Sequence, residues 1–160
     1  MKMIKRILFW IAVMTICMSQ ISFAASDETN EKEYLSDTYQ NLARGEFLAE
    51  GTVEIGNPKD GSIFICIYTV AYRDVDRIFH TVFLEQWDED SESWIQKDSW
   101  SFEDLSENCP TGLSMLRNTF TVTGYPWNKT YRVRGLHGVE YMDEIEACAT
   151  KTDGLLITKN

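Results

Sequence analysis

From residue 46 to its last residue, the chain breaks into short apolar runs, each closed by a turn signal roughly ten residues after the one before. Short runs with period two call for strands. The segment 62–72 (SIFICIYTVAY) is the strongest of these runs. It is rich in β-branched and aromatic residues and apolar at both parities, as expected of a central strand covered on both faces. Residues 78–87 read the same way, and 51–55, 94–102, 113–123, 131–135, 145–150 and 155–158 supply further strands. Gly56-Asn57-Pro58, Asp60-Gly61, Gly124-Tyr125-Pro126 and Asp153-Gly154 are turn signals, and the polar stretch 88–93 is a hairpin tip. About seven or eight strands at this spacing predict an all-β sandwich.

The first 45 residues follow different rules. Lys2, Lys5 and Arg6 precede an apolar run over 7–17, and Ser22-Phe23-Ala24 closes the segment. A basic flank, a short apolar core and small residues before the break are the marks of a secretory signal peptide. The strongly apolar part spans about ten residues, short of the roughly 20 that a membrane-spanning helix requires. Cleavage is expected after Ala24, with Ala25 as the neighbouring alternative. In residues 25–45, Tyr34, Leu35, Thr38, Tyr39 and Leu42 recur at helical spacing before Gly45, which predicts a short helix or a polar arm. The organisation expected is therefore a signal peptide at 1–24, an arm or helix at 25–45 and a sandwich domain at 46–160.

Charge limits the partners. Against 25 Asp plus Glu stand 15 Lys plus Arg, a net charge of −10. Loss of the three basic leader residues takes it to about −13, which repels nucleic acid and anionic membranes alike. The expected location is outside the cell or in the cell envelope. Of four cysteines, Cys17 leaves with the leader and Cys66, Cys109 and Cys148 stay. An odd number in a secreted chain implies one bridge plus a free thiol, or a bond between molecules. All three pairings are open from sequence. Cys109 with Cys148 is preferred, because Cys109 lies in a loop that can move to its partner, while Cys66 reads as a core residue.

No catalytic motif or cofactor signature is found. Asp88, Asp90 and Glu92 alternate like the start of a calcium loop but lack its glycine and its twelfth-position glutamate, and read as a charged hairpin tip. Asp74 and Asp76 read as turn caps or ion-pair partners of Arg73 and Arg77. The three cysteines match no zinc spacing, and there is no Gly-x-Ser-x-Gly elbow. His80 reads as a hydrogen-bonded strand histidine and His137 as a residue at a strand end or turn. The remaining signal is aromatic. Phe79, Phe83 and Trp87 share one strand parity, with Ile78, Val82 and Leu84 on the other. Such a row either stacks against a sugar chain or packs beneath Tyr34, Tyr39 and Leu42 of the arm. Tyr125 and Trp127 on a nearby loop extend the candidate ligand platform.

Two resemblances add to this reading. The stretch Tyr125-Pro126-Trp127-Asn128-Lys129-Thr130-Tyr131-Arg132-Val133 resembles the start of the sixth strand of immunoglobulin-like and fibronectin type III domains, where a tyrosine ties the corner. It departs from the antibody pattern in having no Trp in 62–72 and no cysteine following Tyr131 at the antibody spacing. Ala71-Tyr72-Arg73-x-Val75-Asp76-x-Ile78, residues 84–87, Ser99-Trp100-Ser101-Phe102 and Tyr131-Arg132-Val133-Arg134-Gly135-x-His137 resemble small secreted proteins of clostridia-like Gram-positive bacteria. These are grouped as a domain of unknown function, DUF6147. The resemblance covers about residues 45–158, implies secretion and a β-rich domain, and supplies no activity. The function expected is a secreted, non-catalytic binding module for an extracellular glycan or protein. A structural module of the cell envelope is the alternative, and a small secreted hydrolase the third.

Overall fold

The computed structural model of the chain describes residues 33–40 and 47–160. Most of it is strand: β1 (Glu33–Gln40), β2 (Leu48–Asn57), β3 (Ile63–Ala71), β4 (Arg77–Asp88), β5 (Ser93–Leu105), β6 (Met115–Val122), β7 (Lys129–Tyr141), β8 (Glu144–Lys151) and β9 (Leu155–Ile157). All pairings are antiparallel. The first sheet runs β1-β2-β3-β6 and the second β5-β4-β7-β8, with β9 also pairing to β7. The two sheets pack face to face, so the expected all-β sandwich is the fold.

For residues 25–45, expected to be a short helix or a polar arm, the helix is corrected where the segment is described. Residues 33–40 form a strand on the free edge of β2, with Leu35 opposite Ile55 and Thr38 opposite Thr52. Tyr, Thr and Tyr at 34, 38 and 39 suit a pleated surface, and an open row of backbone donors and acceptors on β2 outweighs a weak helical period. Leu42 and Gly45 lie outside the described residues. Residues 136–141 are also strand. Gly135 and Gly138 look like breakers in the sequence, yet β7 runs through both to Tyr141. Beyond it, Met142 and Asp143 both take positive φ (51° and 65°), making the two-residue hairpin turn that favours Asn-Gly. The Asp76 carboxylate accepts the Met142 N–H at 2.7 Å and helps to hold that turn.

Burial follows strand parity. Val53 and Ile55 of β2, Ile63, Ile65 and Ile67 of β3, Val82 and Leu84 of β4, and Tyr131 and Val133 of β7 form one apolar cluster, joined by Leu155 and Ile157. Phe47, Leu48, Ala71, Val75, Ile78, Leu113 and Val139 form a second. On β3, β4 and β7 the inward residue between the clusters is polar: Thr69, His80 and His137. On β6, Asn118 sits likewise between Leu116 and Phe120.

These polar residues form one hydrogen-bonded chain across the sandwich. Thr69 Oγ1 lies 3.1 Å from His80 Nδ1 and 3.0 Å from His137 Nδ1. His80 Nε2 is 2.8 Å from Asn118 Oδ1, and His137 Nε2 is 2.8 Å from Thr150 Oγ1 on β8. With Asn118 presenting its carbonyl oxygen, one direction satisfies every member. His80 Nε2–H donates to Asn118, Thr69 donates to His80 Nδ1, His137 Nδ1–H donates to Thr69, and Thr150 donates to His137 Nε2. Both imidazoles are then neutral. Space for His137 comes from two glycines: a Cβ on Gly51 would stand 2.7 Å from its ring, and one on Gly135 would stand 2.6 Å from its Nε2. His80 is thus the hydrogen-bonded strand histidine expected. His137, expected at a strand end or turn, is instead in mid-strand, directly opposite His80.

Burial lowers the pKa of both rings, and the neighbouring His80 lowers that of His137 further, to about 4. Hydrogen bonds from His137 to the Tyr68 backbone and from His80 to Asn118, and the Asp37 charge, pull the other way without prevailing. Unfolded His137 takes up its proton near pH 6.5 and the folded residue only near 4. Its stabilising contribution is therefore complete above pH 6.5 and is lost as the pH falls towards 4. Urea unfolding of wild type should lose up to about 3 kcal/mol over that window, and His137→Gln should flatten the slope. A wild-type stability unchanged between pH 6.5 and 4.5 would contradict the buried neutral pair.

Candidate functional site

The register that turns Ile78, Val82 and Leu84 inward turns Phe79, Phe83 and Trp87 outward, onto the exposed face of the second sheet. All three are half-buried, and they share one face as their parity requires. Each is held by a neighbour from an adjoining strand or position. The Arg77 guanidinium lies 4.7 Å from the Phe79 ring centre, and Arg134 lies 5.0 Å from that of Phe83. Trp87 meets Trp94 edge-on at 5.3 Å, and Arg132 sits 4.3 Å from the Trp94 ring. These are cation–π distances, and they order long side chains that would otherwise sweep solvent. Phe79 also lies against Gly138, where a Cβ would overlap its ring.

One carboxylate organises the arginines. Glu85 is 6% exposed and accepts from Arg132 Nε at 2.6 Å and Arg134 Nε at 2.7 Å. Burial pushes the Glu85 carboxyl up, but the hydrogen bonds and charges of the two arginines outweigh it and hold the group below the usual carboxylate range. At the other end of the row Arg77 bonds Glu103 and Glu140. Beside Phe79, between β4 and β5, the surface dips into a depression of about 360 Å³. The Thr81 and Ser101 hydroxyls meet there at 2.8 Å. Leu136 and Ile145 extend the same face towards β8, 45% and 60% exposed. Tyr34 does not cover this row. It belongs to the first sheet, where its ring packs edge-on against Phe64 at 5.5 Å.

Tyr125 and Trp127 are not part of this face. The Tyr125 ring turns inward against Tyr131, with its hydroxyl donating to Asp98 at 3.0 Å. Burial and that carboxylate raise its pKa to about 12, so the hydroxyl keeps its proton. Trp127 stands 52% exposed at one end of the sandwich. The two residues line an open cleft there with Asp60, Ser62 and Lys159, a grouping that sequence separation conceals.

The cysteine pairing is also corrected: Cys66, Cys109 and Cys148 are all free. Cys66 is on the outward parity of β3, where it accepts from Thr119 at 3.4 Å. Cys109 donates to Asp104 at 3.4 Å. Cys148 faces inward beside His137 and Gly51, and burial raises its thiol pKa to about 11. Three different settings leave the preferred pair unmade. Asp88 accepts the Ser91 N–H and closes the hairpin tip. Among the described residues no group of three or more His, Cys, Asp or Glu is placed to hold a metal.

The model of a family of unknown function, DUF6147, fits residues 14–155. The chain belongs to this family. No curated protein matches it. In this DUF6147 chain, the stretch Tyr131-Arg132-Val133-Arg134-Gly135-x-His137 serves both sides of one strand. Its odd-numbered members supply the buried Tyr131, Val133, the slot at Gly135 and His137. Arg132 and Arg134 hold Glu85 and the outer rings. Because removing Glu85 leaves two arginines without their shared acceptor, Glu85→Gln should destabilise the fold by about 2 kcal/mol in urea titration. A loss below about 0.5 kcal/mol would mean that solvent replaces the carboxylate at no cost.

Proposed function

We propose that this chain is a secreted, non-catalytic binding module that holds an extracellular glycan or protein on the outer face of its second sheet. The observation that carries the reading is the row Phe79, Phe83, Trp87 and Trp94, half-buried on the outer face of the second sheet and ordered by three arginines. Arginine and aromatic side chains fixed in place give up little conformational freedom on contact, which favours binding. The basic, apolar leader supports secretion. Both histidines of the chain are sealed in the core, at 1% and 0% exposure, with each ring nitrogen hydrogen-bonded. A Ser-His-Asp site would lack its base, which favours binding over hydrolysis. The strand order β2-β3-β6 facing β5-β4-β7-β8, and the Tyr131 hydroxyl closing a corner on the Pro126 carbonyl at 2.8 Å, support an immunoglobulin-like type of sandwich.

A second reading, an interaction module of the cell envelope, is favoured by one feature. Among the described strands β6 pairs only with β3, so its other edge is open to strand addition. Electrophoresis of residues 25–160 in native gels cast with polysaccharides or mucins separates the two. Wild type should be retarded in at least one gel, and a folded Phe83→Ala/Trp87→Ala variant should bind at least about tenfold more weakly. Equal retardation of the variant would contradict the outer face. A stable dimer with no retardation would favour the open edge.

A further inference from the structure

The cleft at the end of the sandwich is made by the β2–β3 loop, the β6–β7 loop and the C-terminal residues, and its volume is about 510 Å³. Its walls are anchored. Asp60 and Lys159 pair as an isolated antiparallel bridge, the Gly61 N–H donates to Thr158 O at 3.0 Å, and the Asn160 N–H donates to Lys59 O at 3.0 Å. Behind them the fully buried Asn57 amide donates to Leu156 O at 3.1 Å and Thr158 Oγ1 at 3.0 Å, while its oxygen accepts the Lys59 N–H at 3.0 Å. The opposite wall is fixed by Tyr131 on the Pro126 carbonyl and by the Asn128 N–H on Ile157 O at 2.7 Å. A concave site whose loops are already ordered loses little entropy on binding.

The lining is chemically mixed. Trp127 offers an indole to solvent, the Asp60 carboxylate is oriented by the Ser62 N–H at 2.8 Å and by the Ser62 hydroxyl, and Lys159 brings an ammonium. Gly124, at φ 90°, leaves open space where a Cβ would stand. An aromatic face beside one carboxylate and one ammonium suits a ring that is apolar on one side and hydroxylated at its rim. A pyranose has that shape: its C–H face packs on the indole, adjacent hydroxyls donate to the carboxylate, and another accepts from the ammonium. The volume is within the range of small-molecule sites and too small for a folded partner. With the charges balanced locally in a chain of net charge −10, an anionic sugar gains nothing over a neutral one. We infer that this cleft binds a neutral pyranose residue of an extracellular glycan, stacked on Trp127 and hydrogen-bonded by Asp60 and Lys159. The site is separate from the outer aromatic face and does not depend on it.

The test is a titration of residues 25–160 with the methyl glycosides of glucose, galactose, mannose and N-acetylglucosamine. It is followed by the Trp127 indole N–H resonance, assigned from its absence in Trp127→Phe. At least one glycoside should shift that resonance saturably, with a dissociation constant of roughly millimolar order. Lys159→Ala and Asp60→Asn should each weaken binding about tenfold, equivalent to about 1.4 kcal/mol. The folded Phe83→Ala/Trp87→Ala variant should retain the shift, so that failure of the outer-face reading and failure of this one are told apart. No shift up to about 50 mM of any glycoside would overturn the proposal. A shift produced only by methyl glucuronide would overturn its neutral character.

Discussion

The hydrogen-bonded chain from Asn118 through His80, Thr69 and His137 to Thr150 is the constraint on which the arrangement of the two sheets depends. Apolar burial is non-directional, and the aliphatic clusters on either side would tolerate several registers. A polar layer does not. Sliding one sheet by two residues would set imidazole and amide groups against isoleucine and valine, at about 1–3 kcal/mol for each buried group left without a partner. The layer draws on five strands of both sheets, so it fixes them together. Among the described residues no buried side-chain nitrogen or oxygen lacks a partner.

Fixing the inner rows fixes the outer ones. Once His80 and His137 face each other inside, Phe79, Phe83, Arg132 and Arg134 must point outward, and Glu85 falls between the two arginines. Side chains bridge the two flanks of the sandwich by different means. Trp100 and Phe102 of β5 pack on Phe120 of β6 at 5.2 and 5.7 Å. On the other side, Asp37 of β1 accepts the Lys151 N–H at 2.7 Å, and Glu146 of β8 accepts the N–H groups of Phe47 and Leu48. Where β7 changes partner from β8 to β9, the buried Thr152 takes the Val133 N–H on its hydroxyl and returns its own N–H to the Val133 carbonyl. These contacts leave the exposed aromatic face and the cleft as ordered surfaces.

Strand parity and turn chemistry made most of this architecture legible. The runs at 62–72 and 78–87 became β3 and β4, and the outward row on β4 followed from period two alone. What period two could not show was the partner across the gap. Gly51, Gly135 and Gly138 look like interruptions, but they make room for His137 and Phe79, which only the packed sheets reveal. For that reason His137 reads as a strand-end residue from sequence although it lies in mid-strand. Residues 33–40 are a strand because β2 has an edge to fill, a tertiary cause outweighing a local period. The cleft was beyond sequence reasoning because Asp60, Trp127 and Lys159 meet only after three loops fold together. The one available hint was Trp127 beside the turn signal at Gly124-Tyr125-Pro126.

The tautomers of the two imidazoles report the direction of the buried chain. Long-range proton–nitrogen NMR correlation on uniformly labelled protein at neutral pH reads them directly. The hydrogen-bonded chain requires two neutral rings, His80 protonated at Nε2 and His137 at Nδ1. Either ring charged, or the two tautomers exchanged, would contradict it.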